Sequence, residues 1–425
     1  MFEFDSIPVP ELELGGLEVP LTEEERAVAD SVRRFALERM RPLGKQLDRM
    51  SADEVAAGKA LLLDFLRDYR DLGCGLEFLN ELSPRQRARL FPIIHGYLGW
   101  GDAGLAILTA AASFPAFAAY QTGNPELIER FGTKIGCWMG TQPDRGSDTV
   151  DLQGTELRLG SQHGTPNLAA RITDDEIILT GQTSAWVSGG PIAECGLAYV
   201  PADYGSGLRR SNGLLNGAVI LVPFDEKGVS KGRPVEKLGQ RPLPQGAIFF
   251  DEVRLPRNYL LANNERIDGH FFTSFVFANM EMACVFSGLA RAAFQSALEY
   301  VHQRRQGGGH LIEHQNVRHR IFQLWRKVES ARAIAQRACD FNFLGKPHVL
   351  ASATAKIVAT ELACEVAQDA LSLFGGNGLT KEYPMEKYLR DARASLIEDG
   401  ENNILGLVCA GHISNWFRQH GTEVK

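Results

Sequence analysis

Three long helical runs near the C-terminus constrain this chain most. Residues 271–303, 313–342 and 348–374 are amphipathic, and the only proline near them stands just before His348. Each repeats its apolar residues at helical period, so each has a face to bury. Runs of this length joined by short connections pack as antiparallel neighbours, which predicts a C-terminal four-helix bundle over 257–425. Gly375 and Gly376 close the last run, where a helix stop favours glycine.

The N-terminal third is also helical in pattern. Thr22 and Glu25 have capping-box spacing, and Val28, Val32, Phe35, Ala36 and Met40 then keep helical period. Further helices are expected over 57–72, 84–97 and 105–122, the last interrupted or kinked at Pro115. Between 137 and 256 turn residues multiply and short β-rich runs appear at 177–179, 195–200, 218–222 and 247–250. The expected fold is therefore α+β and multi-domain. It has an arm over 1–20, an N-terminal helical domain over 21–136, a small central β-barrel or sandwich over 137–256, and the helical bundle.

Composition narrows the function classes. The formal net charge of −7 argues against a nucleic-acid partner, since phosphate backbones select basic faces. A local basic patch at Arg304 and Arg305 is the exception. The seven cysteines are an odd count without a C-x-x-C pair. They read as small buried hydrophobes in a reducing compartment, not as a disulfide framework or metal site. No secretory signal and no membrane span are read, so a cytoplasmic protein is expected.

Four segments carry chemistry. The first runs Trp138-Met-Gly-Thr141-Gln142-Pro143-Asp-Arg-Gly146-Ser147-Asp148. Gly146 and Ser147 let backbone N–H groups and a hydroxyl approach an anion. The second is Gly181-Gln-Thr-Ser-Ala-Trp186-Val-Ser188-Gly-Gly, with an indole and a hydroxyl two residues apart. The third spans Arg304 to Gln315, through Gly307, Gly308 and His314. The fourth holds Phe374-Gly375-Gly376, Tyr383-Pro384, Arg390-Asp391-Ala392-Arg393 and Glu398-Asp399-Gly400-Glu401.

Together these segments resemble the acyl-CoA dehydrogenase family over residues 20–415 or so. The first is similar to the family's T-E-P-x-x-G-S-D loop, with Gln142 for the family Glu. The second resembles G-x-K-x-W-I-T-N-G with one extra residue. The third resembles R-x-x-F-G-x-x-x-x-x-H-Q, with Gly307 in place of the Phe. The fourth keeps register with the F-G-G-x-G-Y to I-Y-E-G-T segment. The resemblance implies FAD and no metal. Trp138, Thr141, Gly146, Ser147, Trp186, Ser188, Phe374, Gly375, Gly376 and Glu401 are the expected cofactor contacts. Arg304 and Gln315 are expected to reach a neighbouring subunit's FAD, which implies at least a homodimer and by family habit a homotetramer. The implied partners are an acyl thioester and an electron-transfer flavoprotein.

The implied reaction is α,β-dehydrogenation, which needs a carboxylate to take the α-proton. Aligned on Arg390 and Gly400, the family's base falls at Asp399, its Tyr at Glu398 and its Thr at Glu401. Adjacent helical residues point ~100° apart, so only one of Asp399 and Glu398 is expected to face the flavin. A helix C-terminus before Gly400 is expected to raise the carboxylate's pKa. Register favours Asp399. Glu398 after a local shift, or neither residue, are the other readings. The alternative base site of the family falls at Ala278, with Asn279 in place of its Arg, and Glu281 is out of register. Val276, Phe277, Ala278 and Asn279 replace the D-x-x-R substrate contacts, which implies an unusual acyl group or carrier. Two alternatives keep the fold: an oxidase or monooxygenase resembling nitroalkane oxidase, which uses an Asp base, and a flavin-binding relative without activity.

Overall fold

The computed structural model describes residues 20–157 and 160–421. The expected arm over 1–20 lies almost wholly outside them. The first helix, α1 (Glu23–Phe35), begins with the expected capping box. The Glu25 N–H donates to Thr22 Oγ1 at 3.2 Å, and the Thr22 N–H donates to Glu25 Oε2 at 3.0 Å. Satisfying these otherwise unpaired donors sets the start of the helix. A π-helical turn (Ala36–Met40) leads into α2 (Arg41–Leu47). Then follow α3 (Ala52–Ala57), α4 (Lys59–Leu72), α5 (Leu76–Glu81), α6 (Pro84–Gly101), α7 (Ala103–Thr122) and α8 (Pro125–Phe131). Helix α7 continues through Pro115, so the expected interruption is absent. The Ala112 carbonyl beside the proline accepts a hydrogen bond from Gly136 N at 2.9 Å.

The central part is one eight-stranded sheet, curled as a half-barrel rather than closed or doubled. Its strands are β1 (Trp138–Met139), β2 (Leu168–Ile172), β3 (Glu176–Gln182), β4 (Cys195–Asp203), β5 (Gly217–Pro223), β6 (Val229–Lys231), β7 (Ile248–Pro256) and β8 (Leu260–Ala262). Their order is β6-β7-β3-β2-β4-β5-β8, with β1 parallel to β4. Strands β4 and β5 are buried on both faces. Cys195, Leu197 and Tyr199 of β4 face the helical core, while Ala198, Val200 and Ala202 face the β core. This period-two division places one sheet face against the helices.

The C-terminal helices are α9 (Ile267–Gln303), α10 (Gln315–Leu344), α11 (Val349–Leu373), α12 (Met385–Ala394) and α13 (Asn402–His420), with a hairpin of β9 (Arg305–Gln306) and β10 (Gly309–His310) between α9 and α10. Helices α6 and α9 cross at two glycines. A Cβ on Gly99 would lie 1.9 Å from the Val285 carbonyl oxygen, and one on Gly288 would lie 1.9 Å from that of Gly96. By length and composition α7 and α9 are apolar enough to cross a bilayer, which the sequence reading did not register. Most of each apolar window is buried against the rest of the fold, as in the core helix of a globular domain.

Candidate active site

The first two motifs meet at a pair of hydroxyls. Thr141 Oγ1 lies 2.6 Å from Ser184 Oγ, and the Ser184 N–H donates to the Thr141 carbonyl at 2.9 Å. Ser184 Oγ accepts in turn from the Trp186 N–H at 3.2 Å. Trp186 is 58% exposed. It is therefore not the buried core tryptophan that its composition would otherwise suggest, and it offers an indole surface beside these hydroxyls. Trp138 is half-buried and packs on Tyr199 and Phe114, with centroids at 5.8 and 6.4 Å.

Gln142, the departure from the family glutamate, has a structural use. Its Nε2 donates to the Leu168 carbonyl at 3.0 Å, and its Oε1 accepts from the N–H groups of Asn167 and Leu168 at 2.8 and 2.9 Å. A carboxylate lacks the donor that this buried position needs. Further along, the Gly146 N–H is held by Asp148 Oδ1 at 2.8 Å. Ser147 Oγ accepts from the Glu401 N–H at 2.9 Å, tying the first motif to the fourth.

The fourth motif departs from the expected local structure at its centre. Helix α12 ends at Ala394 and α13 starts at Asn402. Glu398 and Asp399 therefore lie in a turn, and neither the helical-angle argument nor the helix-terminus argument applies to them. Asp399 has φ +50°, the left-handed region that a short polar residue tolerates. Its carbonyl accepts from buried Asn279 Nδ2 at 3.4 Å. Burial raises the Asp399 carboxyl above its ordinary value, opposed by Lys356. Among the described residues that carboxylate accepts no hydrogen bond.

Glu398 is placed differently. Its Oε1 accepts from Gln240 Nε2, and Lys237 stands within electrostatic reach. Burial, with Asp399 adjoining, pushes its pKa up to about 7. Lys237 Nζ donates to Gln245 Oε1 at 2.6 Å, and Gln245 Nε2 donates to Ser188 Oγ at 3.2 Å. A polar chain thus runs from the Ser188 and Trp186 loop to the carboxylate turn. Glu401 caps α13, its carboxylate accepting from the N–H groups of Asn403 and Ile404 at 2.9 and 3.1 Å.

Lys356 was missed from the sequence. It is fully buried on α11, and its Nζ donates to the Gly400 carbonyl at 2.8 Å and to Asn402 Oδ1 at 2.7 Å. Burial lowers its pKa to about 8, against the pull of Asp399 and Glu398. The signal was available: Lys356 stands at helical spacing from Ser352, Ala353, Ala359 and Thr360, all of them buried.

Arg304, Gln315, Phe374, Gly375 and Gly376 belong to a second group. Phe374 stacks on Tyr300 with centroids 4.0 Å apart, and Arg304 follows Tyr300 by one turn. Arg304 and Gln315 are exposed. Among the described residues no hydrogen bond or ring contact joins this group to the Thr141 and Ser188 group of the same chain. Gly307 and Gly308 have φ of +64° and +93°, so the loop is a two-residue hairpin turn rather than a flexible connection. The missing aromatic at 307 follows from that turn.

The model of the acyl-CoA dehydrogenase C-terminal domain matches residues 272–413. The benzylmalonyl-CoA dehydrogenase of Aromatoleum aromaticum is 27% identical over 409 residues, 94% of this chain and 100% of that protein. Its C-terminal part carries the acyl-CoA dehydrogenase C-terminal domain, and over nearly its whole length the chain is similar to this benzylmalonyl-CoA dehydrogenase. Two solved structures share the chain's fold. Butyryl-CoA dehydrogenase from Megasphaera elsdenii superposes with a TM-score of 0.74 at 22% identity, covering 94% of this chain and 100% of that one. Glutaryl-CoA dehydrogenase from Mycobacterium smegmatis in complex with FADH2 gives 0.76 at 19% identity, covering 93% and 95%. The family likeness and the three-part architecture therefore agree with the expectation from sequence.

Proposed function

We propose that the protein is an FAD-dependent dehydrogenase of an acyl thioester, with Asp399 as the base that takes the α-proton. The observation that carries this is the contrast between two adjacent carboxylates. Glu398 is tied to Gln240, while the Asp399 carboxylate accepts no hydrogen bond among the described residues, although burial raises its proton affinity. A half-buried, uncommitted carboxylate suits abstraction of a weakly acidic C–H proton. Relatives that carry the name support the substrate class, including benzylmalonyl-CoA dehydrogenase and butyryl-CoA dehydrogenase.

The donor set fits an isoalloxazine. Thr141, Ser184 and Ser188 bring hydroxyls to the side of an exposed indole, and Gly146 has open space where a Cβ would stand. Bound there, FAD supplies the acceptor for the β-hydride. Trp186 would cover the ring, and Thr141 and Ser188 would orient it. Lys356 holds the Gly400 carbonyl and so fixes the turn that carries Asp399. The proposed electron acceptor is an electron-transfer flavoprotein, as is usual in the family. The seven unpaired cysteines, all but Cys364 of them buried, support a reducing compartment such as the cytoplasm.

The test is anaerobic mixing of the yellow holoenzyme with a panel of acyl-CoAs. Bleaching of the flavin is expected. Asp399→Asn should keep its FAD and bleach about 10³-fold more slowly. Bleaching at the full rate would remove the base assignment. Rapid reoxidation in air with release of peroxide would favour oxidase chemistry on the same fold.

A further inference from the structure

Glu281 has no part in the proposed proton transfer. It is the only charged residue across 276–290 of α9, and it is 8% exposed. Opposite it on α6, His95 is 3% exposed, with Nε2 3.7 Å from Glu281 Oε1. His95 Nδ1 lies 2.9 Å from the Phe91 carbonyl. A carbonyl only accepts, so Nδ1 carries the proton and Nε2 presents a lone pair. Burial lowers the His95 pKa to about 4. Burial, and then Asp399, push Glu281 up to about 8. Burial thus favours the uncharged form of both groups, with the acid proton on Glu281.

Among the described residues the Glu281 carboxyl makes no hydrogen bond and faces no lysine or arginine at ion-pair distance. Tyr69 of α4 is the third polar group within electrostatic reach. Burying an unpaired carboxyl costs free energy that a ligand partner recovers. Asn279, two residues before Glu281 on α9, donates to the Asp399 carbonyl at 3.4 Å, so this stretch of α9 packs against the turn that carries the proposed base.

We propose that Glu281 and His95 form a polar subsite that receives a neutral oxygen function, a hydroxyl or keto group, carried on the acyl chain of the thioester. The inference rests on the dehydrogenase reading above. A carboxylic acid both donates and accepts, and the imidazole Nε2 accepts, so a hydroxyl is satisfied in both senses and a keto oxygen takes the acid proton. A chain carboxylate would lose its hydration there without gaining a counter-charge.

The test compares acyl-CoAs of equal length, with and without a hydroxyl or keto group along the chain, on the FAD-loaded full-length protein. At the matching chain position kcat/KM for bleaching should favour the oxygenated chain about tenfold, the scale of one well-made hydrogen bond. Glu281→Leu should bring that ratio to about one, and Glu281→Gln, which keeps a donor and an acceptor, should hold most of it. A wild-type preference for plain chains, or a ratio unmoved in Glu281→Leu, overturns the subsite. Calorimetric titration of the same pairs into the Asp399→Asn holoenzyme separates binding from turnover. Preference in binding without bleaching by the wild type leaves the subsite standing and removes the dehydrogenase reading. Equal binding removes the subsite.

Discussion

At the scale of single residues, Lys356 is a buried cation and Asp399 a half-buried carboxylate, joined through one turn. Lys356 lowers a pKa that burial raises, so its removal should raise it further. In Lys356→Met the acid limb of the bleaching rate should move to higher pH, as a rate-against-pH profile would show. The variant also leaves the Gly400 carbonyl and Asn402 Oδ1 without their donor, at a cost of about 2–4 kcal/mol in denaturant unfolding. Glu398 provides a stability test. Its pKa rises from an ordinary 4.5 to about 7, so the folded state binds its proton more tightly than the unfolded state does. That contribution is fully present below the ordinary value and is lost as pH rises through about 7. Glu398→Gln should flatten the melting temperature across that window.

At the scale of elements, the crossing of α6 and α9 decides where Glu281 and His95 meet. The two helices touch backbone to backbone because Gly99 and Gly288 carry no Cβ. Gly288→Ala places a methyl 1.9 Å from the Gly96 carbonyl oxygen, an overlap that rotamer changes cannot relieve. A loss of about 3 kcal/mol or more is expected in chemical denaturation, at the upper end for overpacking. An unchanged midpoint would show that the helices slide apart freely. The β9–β10 hairpin is a second local device. Its two glycines turn the chain between α9 and α10, and they leave Arg304 and Gln315 exposed on either side.

At the scale of the whole molecule, the most specific motif holds the three parts together. Arg390 reaches Asp48 at 2.6 Å, Glu386 at 2.6 Å and the Leu238 carbonyl at 3.0 Å. Lys387 lies between Asp102 and Asp391, at 2.7 and 2.5 Å. These contacts join the N-terminal helices, the sheet domain and the bundle. The bundle also carries exposed apolar residues. Ile413, Trp416 and Phe417 of α13 are 55%, 48% and 51% exposed, and Phe322, Phe341 and Leu344 of α10 are also exposed. Light scattering should find a dimer or tetramer, and the double substitution Trp416→Glu and Phe417→Glu should shift it to smaller species. A monomeric wild type would remove the expected reach of Arg304 and Gln315 to a neighbouring subunit.

Local spacing in the sequence determined the helical, β, helical order, the capping box at Thr22, the long bundle helices and the family motifs, because helical period and glycine stops act over a few residues. It did not determine that the sheet is a single curled layer, since β1, β6 and β8 are only two or three residues long, too short to show a period. It placed Asp399 beside a helix end, whereas the fold puts that residue in a turn with positive φ, where burial raises its proton affinity. Only the tertiary structure brought Lys356 to Gly400, Gln240 to Glu398 and His95 to Glu281, because those pairs are separated by 44, 158 and 186 residues. Burial and electrostatic coupling depend on neighbours in space, and no local pattern encodes them.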